Sequence, residues 1–377
     1  MTAAPSVVVV GAGPAGVAAA RRLRTDGVAV RLVVSGGRST YLAGTLDVAL
    51  GTAPSSHFVQ PVTLTGVELV PELVEELRGD GVRVAGSWHA CDRVIAAPGL
   101  ALERTGAGSA VAWMWDPSSA EAAAPLVRAC TSGTVAVVVS SLPYRCPPAP
   151  YGLAMRLARG AQDRGEKVRV VLTTPEPRPL AMLGEQLGTF LLDACAAAGV
   201  EVRVGFAPDP EALARGEVRA EDGERVGCDL ALVVPRHVVS PLLADLAGGG
   251  SLVPVGQSFA SAEPGLFVVG DAAATPFPRA ADPAIRSGVL AAEAVLASLG
   301  MESATQAAPP GAECFVGHGG GAYSRIRLDY PDGPPPDGHP RVGIDAKSTE
   351  LADAFEDALR VWRVARSEPS PSGAPGS

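Results

Sequence analysis

The run Val7-Val-Val-Val-Gly-Ala-Gly-Pro-Ala-Gly16 is where the fold is decided. Four consecutive valines make a strand that is apolar on both faces, as strands of a helix-covered parallel sheet are. Glycines at 11, 13 and 16 then form a tight turn, and Val17 to Arg24 continues at helical spacing until Gly27 ends it. A second apolar run, Val28 to Val34, follows. Strand, glycine turn, helix, strand is the opening of a doubly wound α/β sheet. In such a turn the backbone can approach a pyrophosphate that rests on the helix N-terminus. Gly11, Gly13, Pro14, Ala15 and Gly16 are therefore candidate dinucleotide contacts. The acid that usually grips the ribose at the end of the second strand should fall near Val34 or Ser35, and neither is acidic. Ser35 is left as the contact there, and ribose recognition has to be unconventional.

Outward from this turn, a hairpin-like region at Val67 to Val84 leads to a strand Arg93–Ala96 that ends in Ala97-Pro98-Gly99. The pattern then repeats. A strand at Thr134–Ser140, a helix at Tyr151–Arg164, a strand at Val168–Thr173, a helix at Gly184–Ala198 and a strand at Val200–Val204 form a second βαβαβ unit, so two Rossmann-like units lie in series. Asp229–Val234 is a further strand. The buried strand Gly265-Leu-Phe-Val-Val-Gly-Asp-Ala272 and the helix Ser287–Leu299 return the chain to the first lobe. The organisation expected is a discontinuous cofactor-binding domain over 1–105 and 240–303 and a second Rossmann-like domain over 106–239. A small C-terminal region covers 304–366, and a disordered Ser/Pro/Gly tail covers 367–377. Within the C-terminal region, a linker (Ala304–Gly311), two strands (Cys314–Val316 and Ser324–Asp329), an irregular loop (Pro331–Pro340) and a helix (Thr349–Arg366) are expected. That helix carries the apolar stripe Leu351, Phe355, Leu359 and Trp362, read as a peripheral docking element that covers the cofactor edge or lies on lipid or a partner, the other reading being packing against its own chain.

Composition narrows the function. The chain has 377 residues, with 31 Lys+Arg against 40 Asp+Glu, a formal net charge of −9 and no basic block. Nucleic acid is excluded as a partner. No apolar run approaches the roughly 18–20 residues of a membrane span, and Met1 to Ser6 leads straight into the first strand without a charged leader. The expectation is a cytoplasmic protein, at most peripheral to a membrane. Six dispersed cysteines without CxxC or metal spacing argue against a structural disulfide framework or a metal site. The five histidines show no ligand spacing either. His237 alone, in Pro235-Arg-His237, lies near the return of the chain to the first lobe.

The second βα turn reads Ser140-Ser-Leu-Pro-Tyr-Arg-Cys-Pro-Pro-Ala-Pro-Tyr151. Its prolines have no N–H to offer a pyrophosphate, so NAD(P) binding is not expected in the second lobe. A cysteine stands on this stiff turn at the carboxyl end of a strand, where α/β sites form, and neighbouring Arg145 is expected to favour its thiolate.

Tyr144-Arg-Cys-Pro-Pro-Ala-Pro-Tyr151, Gly11-Ala-Gly-Pro-Ala-Gly16, Gly270-Asp271 and a late Glu313-Cys-Phe315 before a glycine run make the chain resemble the sulfide:quinone oxidoreductase and flavocytochrome c sulfide dehydrogenase flavoprotein family. The resemblance runs from about Val7 to Arg366. It implies FAD on the first lobe, with Asp271 on the ribityl chain and Gly99 and Gly270 lining the cofactor. Arg286 before Ser287-Gly288 stands where the family has a lysine beside the flavin pyrimidine. It also implies a redox-active Cys146–Cys314 disulfide over the flavin. A sulfide, persulfide or small thiol would attack it, and a quinone or protein would accept the electrons. The sequence departs from the family in three further places: Gly152 replaces a glutamate, Pro98 stands in the usual Ala-Thr-Gly, and the acid at the second strand is lost. These open two other readings: a flavoprotein homologue that binds a partner without turnover, or a specialised-metabolism flavoenzyme with a different substrate. A quinone-reducing NADH dehydrogenase shares the fold but needs the nucleotide turn that the prolines replace.

Overall fold

A computed structural model describes residues 4–104, 110–301, 311–331 and 340–366. Strand β1 (Ser6–Val10), helix α1 (Pro14–Thr25) and strands β2 (Ala29–Val33), β3 (Val67–Val70) and β4 (Arg93–Ala96) build the first lobe. The chain then crosses to a second sheet made of β5 (Val111–Trp113), β6 (Ser132–Val139), β7 (Lys167–Thr173), β8 (Val200–Arg203) and β9 (Leu230–Val234). Helices α2 (Pro117–Ala129), α3 (Ala149–Asp163) and α4 (Glu185–Ala197) alternate with its strands. Strand β10 (Leu266–Val268) and helix α5 (Ala281–Ser298) return to the first lobe, so that its sheet runs β10-β4-β1-β2-β3, all parallel. The second sheet runs β5-β9-β6-β7-β8, again all parallel. Val7, Val8 and Val9 are at most 1% exposed, the two-sided burial that the valine run predicts.

Three elements differ from the sequence expectation. The region from Val67 is not a hairpin. Val67–Val70 pairs in parallel with β2, and the antiparallel part is a separate three-stranded meander of Val74–Arg78, Gly81–Val84 and Ser87–Ala90. A short alternating run fits an edge of either kind; here Glu68 takes an ion pair from Arg31 of β2 at 2.9 Å. Helix α5 begins six residues before Ser287, with Pro283 in its first turn, where the missing N–H is not needed. The C-terminal region holds three antiparallel strands: β11 (Gly311–Gly319), β12 (Ala322–Asp329) and the unexpected β13 (Arg341–Ser348). Asp345 holds β13 in place by accepting from Arg325 at 2.7 Å and from Arg327 at 2.6 and 2.8 Å. The expected linker before Gly311, most of the loop at 331–340 and the tail at 367–377 lie outside the described residues.

Helix α6 (Leu351–Arg366) is the last described element, and its apolar stripe is spent on its own protein. Leu359 and Trp362 are 0% and 8% exposed. Phe355 stacks on Tyr323 at 5.1 Å and meets Phe315 edge-on, and Trp362 packs on Tyr41 at 5.4 Å. The docking face expected for lipid or a partner is thus an intramolecular contact. No helix among the described residues is long and apolar enough to cross a membrane.

Candidate functional site

The first turn is a cradle shaped by missing side chains. Gly11 leaves β1 at φ +100°, and a Cβ there would sit 2.3 Å from the Ala97 carbonyl oxygen just beyond β4, so only glycine lets the turn lie in the crevice between β1 and β4. Gly13, with extended backbone, caps α1 and has nothing within 4 Å of a Cβ position. Its open side faces the free N–H groups of the first helical turn. Ala15 is buried, and Pro14 opens the helix. Gly288 meets the backbone of Ala15, where a Cβ would lie 2.1 Å from its oxygen; its role is to let α5 cross α1 closely. Gly270 donates its N–H to Ser287 Oγ at 2.9 Å and so positions the turn that presents Asp271. Gly99 turns at φ +69° with open space beside it. Ser35 is exposed.

Beside this cradle lies a cavity of about 380 Å³ whose walls include Phe259, Asp271, Phe277, Arg279 and Arg286. Asp271 makes no hydrogen bond among the described residues, and burial raises its pKa against the pull of Arg145 and Arg279. The Arg286 Nη1 and Arg145 Nε atoms are buried without a partner. An open glycine turn with unsatisfied buried guanidinium donors nearby fits an anionic dinucleotide such as FAD.

The second turn is held from every side. Glu176 lies just beyond β7 and is 6% exposed. It receives the Tyr151 hydroxyl at 3.1 Å, the Thr174 hydroxyl at 3.1 Å and the Tyr144 hydroxyl at 3.5 Å. Tyr144 also reaches Pro147 O at 3.1 Å, and Trp115 Nε1 donates to Arg145 O at 2.9 Å. Burial raises the Glu176 pKa against these donors. Cys146 is pinned between them at φ +55°, its N–H on Arg279 O at 2.8 Å. A non-glycine residue in that region costs on the order of 1–3 kcal/mol, which surrounding contacts must offset.

Cys314 on β11 comes to the same place. Cys146 and Cys314 are free thiols and lie within electrostatic reach of each other and of the Tyr41 hydroxyl. Burial, with Asp271 next, pushes Cys146 up to about 11; its Ala149 amide contact and Arg145 act in the opposite direction and lose. Arg145 thus acts in the expected sense, toward the thiolate, but burial and Asp271 outweigh it. Burial first, then Cys146, raises Cys314 well above the thiol range. Gly152 lies against β11: a Cβ there would stand 3.4 Å from Gly317 N, an ordinary van der Waals contact, so the strand that delivers Cys314 borders this position without requiring a glycine at it. His237 is 1% exposed and donates from Nδ1 to Pro235 O at 2.8 Å, leaving Nε2 buried without a partner. Burial and then Arg145 depress its pKa to about 3.

The sequence reading missed Tyr41, Glu176 and Arg279. Tyr41 and Arg279 sit in irregular segments whose neighbours are set by chain return. Glu176 could have been suspected as the lone acid after the second strand of a Rossmann unit.

Residues 5–98 match the family described as Pyridine nucleotide-disulphide oxidoreductase. Among solved structures, the sulfide:quinone oxidoreductase of the hyperthermophilic bacterium Aquifex aeolicus superposes with TM-score 0.79 at 18% identity, covering 98% of this chain and 93% of that one. Putidaredoxin reductase in covalent complex with putidaredoxin gives 0.64 at 16%, covering 98% and 97%. Bacillus anthracis CoADR-RHD gives 0.59 at 14%, covering 95% and 74%. At these identities the likeness is one of fold: two Rossmann-like domains of the FAD/NAD-binding kind.

Proposed function

We propose that the protein is an FAD-dependent oxidoreductase of the sulfide dehydrogenase type. It oxidises sulfide, a persulfide or a small thiol through Cys146 and Cys314 and passes electrons to a quinone or protein acceptor. The observation that carries the reading is the approach of these two cysteines, one on the turn of the second lobe and one on strand β11 of the C-terminal sheet, to each other, to Tyr41 and to the Asp271 turn. Bound FAD would supply a two-electron acceptor; Gly11–Gly16, Asp271 and Arg286 would hold it. The protein's own part is sulfur exchange. In the oxidised pair, a hydrosulfide or thiolate attacks one sulfur, the Cys146–Cys314 bond breaks, and one cysteine carries the new S–S bond while the other leaves as thiolate. Desolvation, with Asp271 beside Cys146 and Cys146 beside Cys314, keeps both thiols protonated at rest, which limits side reactions in the reduced form. The proline turn argues against NADH or NADPH as the donor.

The test is anaerobic addition of sulfide, or of a small thiol, to the purified protein. Yellow protein whose flavin bleaches, with bleaching lost in Cys146→Ser and in Cys314→Ser, is the expected result; bleaching by NADH instead would overturn it. One observation favours a second reading, a flavin-binding homologue without sulfur turnover: Gly152, which borders β11 near Cys314, supplies no acid there. A yellow protein that no sulfur donor reduces would select that alternative.

A further inference from the structure

Helix α6 ends on an arginine buried beside the first glycine turn. Arg366 is 3% exposed. Its Nε donates to Ser39 Oγ at 2.9 Å, and Ser39 Oγ donates to the carbonyl of Ala12, between Gly11 and Gly13, at 2.7 Å. Nη1 donates to Trp362 O at 3.1 Å, and the guanidinium lies 4.7 Å from the Trp362 ring centroid. Nη2 is buried with no partner, and no carboxylate among the described residues pairs with this cation. The last turn of α6 is tied down around it: Thr63 N donates to Arg366 O at 2.8 Å, Gln60 to Arg363 O at 2.9 Å and Arg21 to Ala365 O at 3.0 Å.

A guanidinium taken out of water without a counter-charge is costly, and proteins keep one where an anion completes it. Burial alone brings Arg366 down to about 9, the sign of a cation that lacks its anion. The turn it reaches through Ser39 is short of charge in its own right: the first turn of α1 holds no acid and β2 ends without one. An arginine with one free N–H directed from a fixed fork suits a phosphate oxygen.

We propose that Arg366 is the counter-cation for the diphosphate of the dinucleotide at Gly11–Gly16, so that the C-terminal helix is a cofactor clamp and not a docking element. The proposal rests on the reading of that turn as a dinucleotide site. The test follows release of FAD from the purified holoprotein on dilution, and its displacement by ADP and by adenosine, in the wild type, Arg366→Gln and Arg366→Lys. The expected result is FAD affinity about tenfold or more weaker in Arg366→Gln, with substantial recovery in Arg366→Lys. ADP should displace far better than adenosine in the wild type, and that advantage should shrink in Arg366→Gln. A helix that merely packs would weaken ADP and adenosine alike, and an Arg366→Gln protein that holds FAD as the wild type does would also overturn the proposal. If the wild type itself neither holds FAD nor yields to ADP, the dinucleotide reading falls first. Should Arg366→Gln not fold, the ADP-to-adenosine ratio in Arg366→Lys decides: an unchanged ratio with unchanged FAD affinity supports the charge, and loss of the advantage with the charge intact refutes it.

Discussion

In the first sheet the chain leaves β1 at Gly11, pressed against the Ala97 carbonyl that follows β4. In the second it leaves β6 at Ser140, whose N–H and hydroxyl both reach Val234 O at the end of β9, at 3.3 and 2.7 Å. The two turns hold the same place in two parallel sheets that differ only in the origin of one edge strand, each in the crevice where the strand order reverses. The first is emptied of side chains, and beyond Gly11, whose N–H donates to Val33 O at 2.8 Å, it leads into the first turn of α1, whose N–H groups have no intrahelical partner. The second is filled by prolines and by Tyr144 and Tyr151, which are 4% and 0% exposed, and it presents a thiol in place of N–H groups. One topological position thus serves as a cradle or as a frame, and the availability of backbone donors decides which.

Exchange of functions is the strongest way to break that comparison. Cys146→Ser should lower sulfide-dependent flavin reduction by at least about a thousandfold while leaving FAD bound. Gly11→Ala should do the reverse at its root: a Cβ 2.3 Å from the Ala97 oxygen at φ +100° should cost on the order of 2–4 kcal/mol of stability and release FAD. Flavin absorbance after gel filtration, together with anaerobic reduction by sulfide, reads both. Cys146→Ser protein that loses its flavin would show that the frame also serves as the cradle.

The next effect is on the frame itself. Glu176 gathers three hydroxyl donors from the turn and from Thr174. Glu176→Gln should therefore lose about 1–3 kcal/mol, seen as a lower denaturation midpoint, with reduction by sulfide slowed more than FAD is loosened. Equal loss of both would mean that the frame supports the first turn as well. In the reduced wild type, alkylation of Cys146 should accelerate as pH rises toward about 11, above the ordinary thiol range near 8.5. Alkylation that is already complete at a rate plateau near pH 8 would show that Arg145 prevails over burial.

The first turn was legible because its chemistry is backbone geometry, and glycine spacing after a valine run encodes backbone geometry directly. The doubly wound, parallel character of both sheets followed from the alternation of apolar runs and helical patterns, but the edge strands β3 and β5 did not. The second turn was legible only in part. Its prolines declared what it could not bind, yet the sign of the Cys146 shift depends on Asp271, which arrives from a distant segment, and on burial under the C-terminal strands. Likewise the stripe on α6 was visible as amphipathic, but its partners Tyr41, Phe315 and Tyr323 lie on three separate segments. Periodicity shows that a face will be covered; it does not show by what.

The smallest effect expected is a pH dependence confined to the frame. His237 follows β9 and is neutral in the folded protein because burial and Arg145 hold its pKa near 3, against about 6.5 when unfolded. The folded form is thus the poorer proton binder. The stability this residue contributes is complete above about pH 6.5 and is lost as pH falls toward 3, by at most roughly 1.4 kcal/mol per pH unit. His237→Gln keeps a side chain able to donate to Pro235 O and removes the titration. Its denaturation midpoint should be flatter than that of the wild type between pH 6.5 and 4, with the two curves parallel above 7. Because the first turn places no histidine at the cradle, FAD release over the same range should follow the global unfolding curve. If it instead followed the His237 titration while the fold stayed intact, the frame would be setting the cradle's affinity, and the two turns would act as one site.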